Sequence, residues 1–416
     1  MRVLVLLALA LPPAALGQEK GVPPRLLALR GAKVYPGSGP ALEHSTILVE
    51  NGRISAVGRE IPVPPEATVV DASGKVIIPG LIDAASRLFL EPGDRGPGSA
   101  EQTSLDAIDR TSELYLEALE QGVTAVYVGP PSTGPVNGLG AVLRLDRART
   151  VLAKDAALKL SVGVAPGDTS TAALRYESFL QIRQAFDQAK QYGEAWTKYR
   201  KEQAEYDQKK SAPADVPAGK PQKPKSDPRQ EVLLRALDPK DRLPVRLEAH
   251  TSDAILLAIR LAQDYKLRAV LEGATEAWRV ADAVKQSGLP VVAGPVIPTG
   301  ASSVDLIHHS TGCAGALVRA GVPVAIGSFG DEPGGATRFL ADSAALASSR
   351  GLSREQALAA ITIEAAKALG IAAGHGSIEK GKAADLVVLS GEPFDRQTFV
   401  ERTFVDGQAV FLRKGE

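Results

Sequence analysis

One cysteine, one methionine and five histidines in 416 residues are the scarcities that say most about this chain. A single cysteine, Cys313, excludes an intramolecular disulfide and any cysteine-cluster metal site. It lies in SSVDLIHHSTGCAGALVRAG, which reads as helix and therefore as a packed core thiol. Net charge is missing too. Lys+Arg and Asp+Glu each total 48, so no overall field draws nucleic acid or an anionic membrane surface. No apolar run is long enough to span a membrane. The histidines, His44, His250, His308, His309 and His375, form no HxH or HxxxH pair. His308 and His309 are adjacent on the predicted helix and point about 100° apart, so they cannot share one ion. No Ser-His-Asp order, Gly-Lys phosphate loop or dinucleotide fingerprint is present. Gly138-Leu139-Gly140 is a lone GxG and reads as a turn. Asp331-Glu332 could hold a hard cation weakly, but carboxylates in a loop are usually just solvated.

What is there begins with MRVLVLLALALPPAALGQEK. Arg2, an apolar stretch and Ala15-Leu16-Gly17 form a secretory signal over 1–17, which predicts an exported, periplasmic or secreted protein. Residues 18–78 alternate apolar and polar side chains, with Asn51-Gly52 as a hairpin turn, and 373–416 match them, with Asp406-Gly407 as another. Two β segments at opposite ends predict one small β-sandwich built from both termini. Between them, at 79–372, VTAVYVG, LPVRLEA, RAVLEG, LPVVAG and VPVAIG alternate with helical patterns. That rhythm predicts an α/β fold, a (β/α)8 barrel. Ser353 and Gln356 form a capping box that opens a long last helix, LSREQALAAITIEAAKALG. A helical excursion with an aromatic stripe (Phe186, Trp196, Tyr199, Tyr206) and a Pro- and Lys-rich flexible loop interrupt the barrel at about 178–230.

The opening stretch PGLIDAASR resembles the first barrel strand of the amidohydrolase superfamily, PG-L/F-ID-x-HxH. LPVRLEAHTSDAILLAIRLAQDYKL, AVLEGATEAWRVADAV and the tail GSIEKGKAADLVVLSGEPFD are also similar to that superfamily, in the right order. The chain is similar to exported, imidazolonepropionase-like members. The resemblance implies one or two divalent metals, typically zinc, at the C-terminal mouth of the barrel. Its ligands would be HxH on the first strand, a histidine each on the fifth and sixth, and an aspartate on the eighth. Carried onto this chain, those positions hold Ala85 and Arg87, Glu248, Gly273 and Phe329. If the fifth-strand ligand is the second histidine of the family's pair, His250 alone is kept. A guanidinium about 4 Å from a dication at an effective dielectric of about 20 opposes it by roughly 8 kcal/mol. One imidazole does not offset that.

Strand periodicity supplies the rest of the reading. Arg246, Glu248 and His250 share one face of their strand, and Asp83, Ala85 and Arg87 share one face of theirs. Both faces are predicted to point into the barrel, with Asp83, Arg87, Arg246, Glu248 and His250 as pocket residues and Arg87 paired with Glu248. No catalytic residue and no cofactor is predicted. The expected role is a binding or structural one, serving a small ligand in the old pocket or a protein partner on the helical excursion. The alternative is a zinc-dependent hydrolase of atypical site, acting on non-peptide or cyclic amide carbon–nitrogen bonds.

Overall fold

The computed structural model describes residues 26–90, 98–109, 111–163, 171–210, 219–298, 306–329 and 336–414. The signal at 1–17, Asp331-Glu332 and residues 211–218 of the expected flexible loop lie outside the described residues.

The chain ends build one sheet. Its strands are β1 (Leu26–Val34), β2 (Leu42–Glu50), β3 (Arg53–Gly58), β4 (Thr68–Asp71) and β5 (Val76–Pro79). The C-terminal residues add β14 (Leu386–Leu389), β15 (Val400–Val405) and β16 (Gln408–Leu412). The join is β5 beside β14, antiparallel, with Ile77 opposite Val388. Leu29, Ile47, Ile77, Leu386 and Phe404 fill this unit's own core. Both hairpins form where the sequence puts them. Asn51 and Gly52 turn β2 into β3 with φ of 48° and 78°, and Asp406 and Gly407 turn β15 into β16 with φ of 49° and 71°. Two successive positive φ values are what a tight hairpin turn requires, and Asn-Gly and Asp-Gly supply them at least cost.

The second sheet runs β6 (Leu81–Ser86), β7 (Val123–Val128), β8 (Val136–Arg144), β9 (Val151–Ser161), β10 (Val245–Ala249), β11 (Ala269–Gly273), β12 (Val291–Ala293) and β13 (Val324–Ile326). Neighbours in sequence are neighbours in the sheet. The ends meet, because the amide of Phe329 donates to the Ala85 carbonyl at 2.9 Å and that of Ser328 to Asp83 Oδ1 at 3.0 Å. The expected (β/α)8-type barrel is therefore present, with one strand reversed. β8 is antiparallel to both β7 and β9. Its connections are too short for a crossover helix, so the chain can only double back. Gly138 and Gly140 sit inside β8 rather than in a turn. Gly140 is small because the Tyr127 phenol lies where its side chain would be.

Four expectations about the helices and the loop between them are corrected. The excursion is a helix over Ala172–Lys210, earlier and longer than the aromatic stripe suggests, and Phe179, Ile182 and Phe186 bury one face of it. The loop that follows ends early, since Asp227 caps a helix that starts at Pro228. LSREQALAAITIEAAKALG is two helices, Arg354–Ala360 and Ile363–Ala368, broken at Thr362. The break frees the Ile361 carbonyl to accept the Ile82 amide at 2.8 Å, tying this segment to the first barrel strand. The Ser353–Gln356 capping box is formed in both directions. His308 and His309 precede the helix Cys313–Ala320 rather than lying on it, and Cys313 is buried.

Candidate functional site

A charge inside an apolar strand must find a partner or be neutralised. Four such charges lie on the inward faces of β9, β10 and β11: Lys159, Arg246, Glu248 and Glu272, all buried. Strand alternation puts them there. Val245, Leu247 and Ala249 join the core under the helices, which leaves Arg246 and Glu248 facing inward. Parallel pairing sets Glu248 beside Glu272, with Arg246 two residues earlier on the same face, opposite Val270.

The four groups satisfy one another. Lys159 Nζ lies 3.0 Å from Glu248 Oε2 and 3.0 Å from Glu272 Oε1. Arg246 Nε donates to Glu272 Oε2, its Nη2 donates to the Ala84 carbonyl at 2.8 Å, and its guanidinium stacks 4.1 Å from the centre of the Tyr127 ring. Ser161 Oγ donates to Glu248 Oε2 at 3.1 Å, and Ser132 Oγ donates to the same oxygen. Two positive and two negative charges cancel. Burial works to raise the Glu248 carboxyl, but the Lys159 charge and hydrogen bonds from His250 and Ser132 outweigh it, holding the group well below the usual carboxylate range. Glu272 is likewise lowered against its burial, by Arg246 and Lys159. Burial opposes the Lys159 ammonium, yet its two carboxylates raise it above the usual lysine value.

The positions to which the resemblance would assign metal ligands lie beside this network. His250 Nε2 lies 3.4 Å from Glu248 Oε1, and its Nδ1 lies 3.3 Å from Thr275 Oγ1. Its ring leans over Gly273, where an added Cβ would come within 2.5 Å of Cε1. Gly273 also has φ +83°, a left-handed conformation that favours glycine. Phe329 lays its ring against Gly294 and Gly327, and Gly327 in turn abuts Ala85. An apolar contact therefore occupies the junction of β6 and β13.

Asp83 does not join the charged network. Its Oδ1 accepts the Ala85 amide at 3.2 Å and the Ser328 amide at 3.0 Å, while Oδ2 is buried without a hydrogen-bond partner among the described residues. Burial pushes this carboxyl up to about 6, against the pull of hydrogen bonds from Ser328 and Ala85. The expected Arg87–Glu248 pair is replaced, because the cation Glu248 meets is Lys159. Arg87 acts on Lys159 at longer range and lines a cavity of about 280 Å³ with Leu90, Ser104, Pro130, Thr133 and Asn137. Ser104 Oγ is buried with no hydrogen-bond partner among the described residues.

These donors do not suit a divalent metal. Among the described residues no group of three or more His, Cys, Asp or Glu side chains could hold one. Glu248 and Glu272 are already neutralised by an ammonium and a guanidinium, and an incoming dication would have to displace or face those cations.

Sequence reasoning brought Arg246, Glu248 and His250 together on one inward face, but missed Lys159 and Glu272. The signal was available: AALKLSV and AVLEG each place one charge in an apolar run, as LPVRLEA places two.

Comparison with known proteins agrees with this architecture. A family model described as "Amidohydrolase family" matches residues 311–411. The crystal structure of an amidohydrolase from Thermotoga maritima MSB8 superposes with a TM-score of 0.79 at 30% identity, covering 93% of this chain and 100% of that one. A dihydroorotase from Geobacter sulfurreducens is 35% identical over 116 residues, 28% of this chain and 24% of the relative's length. An imidazolonepropionase from Idiomarina loihiensis is 24% identical over 143 residues, 30% of this chain and 35% of that protein. The chain thus spans about a quarter to a third of those two relatives. With strand order, sheet closure and the match to the Thermotoga protein all in agreement, the chain belongs to the amidohydrolase family.

Proposed function

We propose that this chain is an exported amidohydrolase-fold protein that has given up metal-dependent hydrolysis and acts by binding. One observation carries the reading. Lys159 places its ammonium between Glu248 and Glu272, so two carboxylates at the barrel mouth are spent on an internal cation. The supporting substitutions are Ala85 and Arg87 for the HxH pair, Gly273 under the His250 ring, and Phe329 at the end of the last barrel strand. The ligand we assign to the mouth is small and polar. It would sit in the cavity beside Arg87, where the buried Ser104 hydroxyl offers an unused hydrogen bond.

The competing reading is a hydrolase of atypical site, and the named dihydroorotase and imidazolonepropionase relatives favour it. Assays with dihydroorotate and imidazolonepropionate, with and without added zinc or manganese, separate the two. The binding reading expects no metal-dependent turnover of either of them. Turnover that a chelator abolishes and zinc restores would establish the hydrolase instead.

A further inference from the structure

A second cavity, of about 600 Å³, opens at the opposite, N-terminal face of the barrel. Its floor includes Val270, Val291, Ala325 and Leu369, the first three at the entry ends of β11, β12 and β13. The volume lies within the range of small-molecule sites. In this fold class that face ordinarily serves stability alone.

The rim is charged and unbalanced. Lys154, Asp155, Arg268, Glu364 and Lys367 line it. Both carboxylates are already matched, Asp155 by Arg235 at 3.1 Å and Glu364 by Lys367 at 2.7 Å. Lys154 and Arg268 have no side-chain partner among the described residues. Two uncompensated cations therefore stand over an apolar floor, an arrangement that selects one chemistry. An apolar body gains by leaving water on the floor, and a carboxylate gains from a guanidinium fork with an ammonium nearby. A bare anion would forgo the first gain and a neutral apolar molecule the second.

We infer that this cavity is a binding site for a small amphipathic carboxylate, with Arg268 and Lys154 on the carboxylate and Val270, Val291, Ala325 and Leu369 under its apolar body. The site is separate from the barrel mouth and does not depend on whether the mouth hydrolyses anything.

The test is calorimetric titration of the full chain with phenylbutyrate, with acetate, phenylbutyramide and phenylbutylamine as controls. Phenylbutyrate should bind with one-to-one stoichiometry, and each control should bind about tenfold more weakly or not at all. Arg268→Ala should weaken phenylbutyrate about tenfold, and Arg268→Lys should recover part of the loss, because it keeps the charge without the fork. Arg87→Ala, at the other face, should leave the affinity unchanged. Arg268 is exposed, so its variants should keep the wild-type thermal midpoint, and that midpoint checks the fold. No binding at millimolar phenylbutyrate would overturn the inference. So would equal binding of the amine, or a loss caused by Arg87→Ala rather than Arg268→Ala.

Discussion

The two ends of the barrel handle charge in opposite ways. At the C-terminal mouth, Lys159, Arg246, Glu248 and Glu272 are buried and cancel one another. At the N-terminal face, Lys154 and Arg268 are exposed, with no partner among the described residues, over an apolar cavity. The end that carries chemistry in the resembling enzymes thus pairs its buried charges internally, and the end that ordinarily only stabilises keeps exposed cations to spare. A buried network is expensive to disturb, whereas exposed cations are cheap to remove and free to bind. Stability measurements should therefore divide sharply between the two ends.

The largest effect should come from Lys159→Met. It leaves two buried carboxylates with one cation between them, and should cost about 3–5 kcal/mol of unfolding free energy in urea titration. Adding Glu248→Gln should recover part of that loss by removing the stranded charge, since Glu272 keeps Arg246. A Lys159→Met protein as stable as wild type would mean that the network is not closed as described.

Asp83 gives the next effect, and its sign is definite. Its carboxyl is raised in the folded protein to about 6 from an ordinary value of 3.8. The folded state therefore holds the proton more tightly than the unfolded chain. Stability from this group is fully present below the unfolded value and is lost as pH rises through about 6. Above that range the ionised carboxylate costs about 3 kcal/mol. Asp83→Asn keeps an oxygen for the Ala85 and Ser328 amides and removes the charge. It should stabilise the protein at neutral pH and flatten the pH dependence between about 4 and 6. A variant less stable than wild type at pH 7 would show that Asp83 is held ionised by a partner.

Gly273→Ala should cost about 1 kcal/mol, from a left-handed backbone that a side chain disfavours, and should also push the His250 ring aside. Combining it with His250→Ala should cost less than the two single changes added together. Arg268→Ala should change stability by less than about 0.5 kcal/mol, as expected of an exposed side chain without partners. A large loss there would erase the contrast between the two ends.

Much of the fold could be read from the chain. Hairpins at Asn51-Gly52 and Asp406-Gly407 and the Ser353–Gln356 cap are local decisions, made by φ preference and short-range hydrogen bonds, so local sequence reports them faithfully. The reversed strand β8 was not legible, because its direction depends on how far its flanking loops can reach rather than on its own residues. The break at Thr362 was hidden for a related reason. The helical pattern continues through it, and only a long-range bond from Ile82 to the Ile361 carbonyl explains the interruption. At the mouth, alternation placed Arg246 and Glu248 inward, but the choice of partner followed from strand register. That register sets Glu272 beside Glu248 and Lys159 beside Arg246, from where the Lys159 side chain reaches both carboxylates, and leaves Arg87 at its own cavity.

The central claim is that the barrel mouth no longer takes a catalytic metal. Titration of the wild-type chain with zinc by calorimetry, on protein purified without chelators, tests it most directly. The account predicts no stoichiometric binding and no zinc carried through purification. Tight one-to-one zinc binding that is lost in a Glu248→Ala, His250→Ala variant would place a metal at the mouth and contradict it.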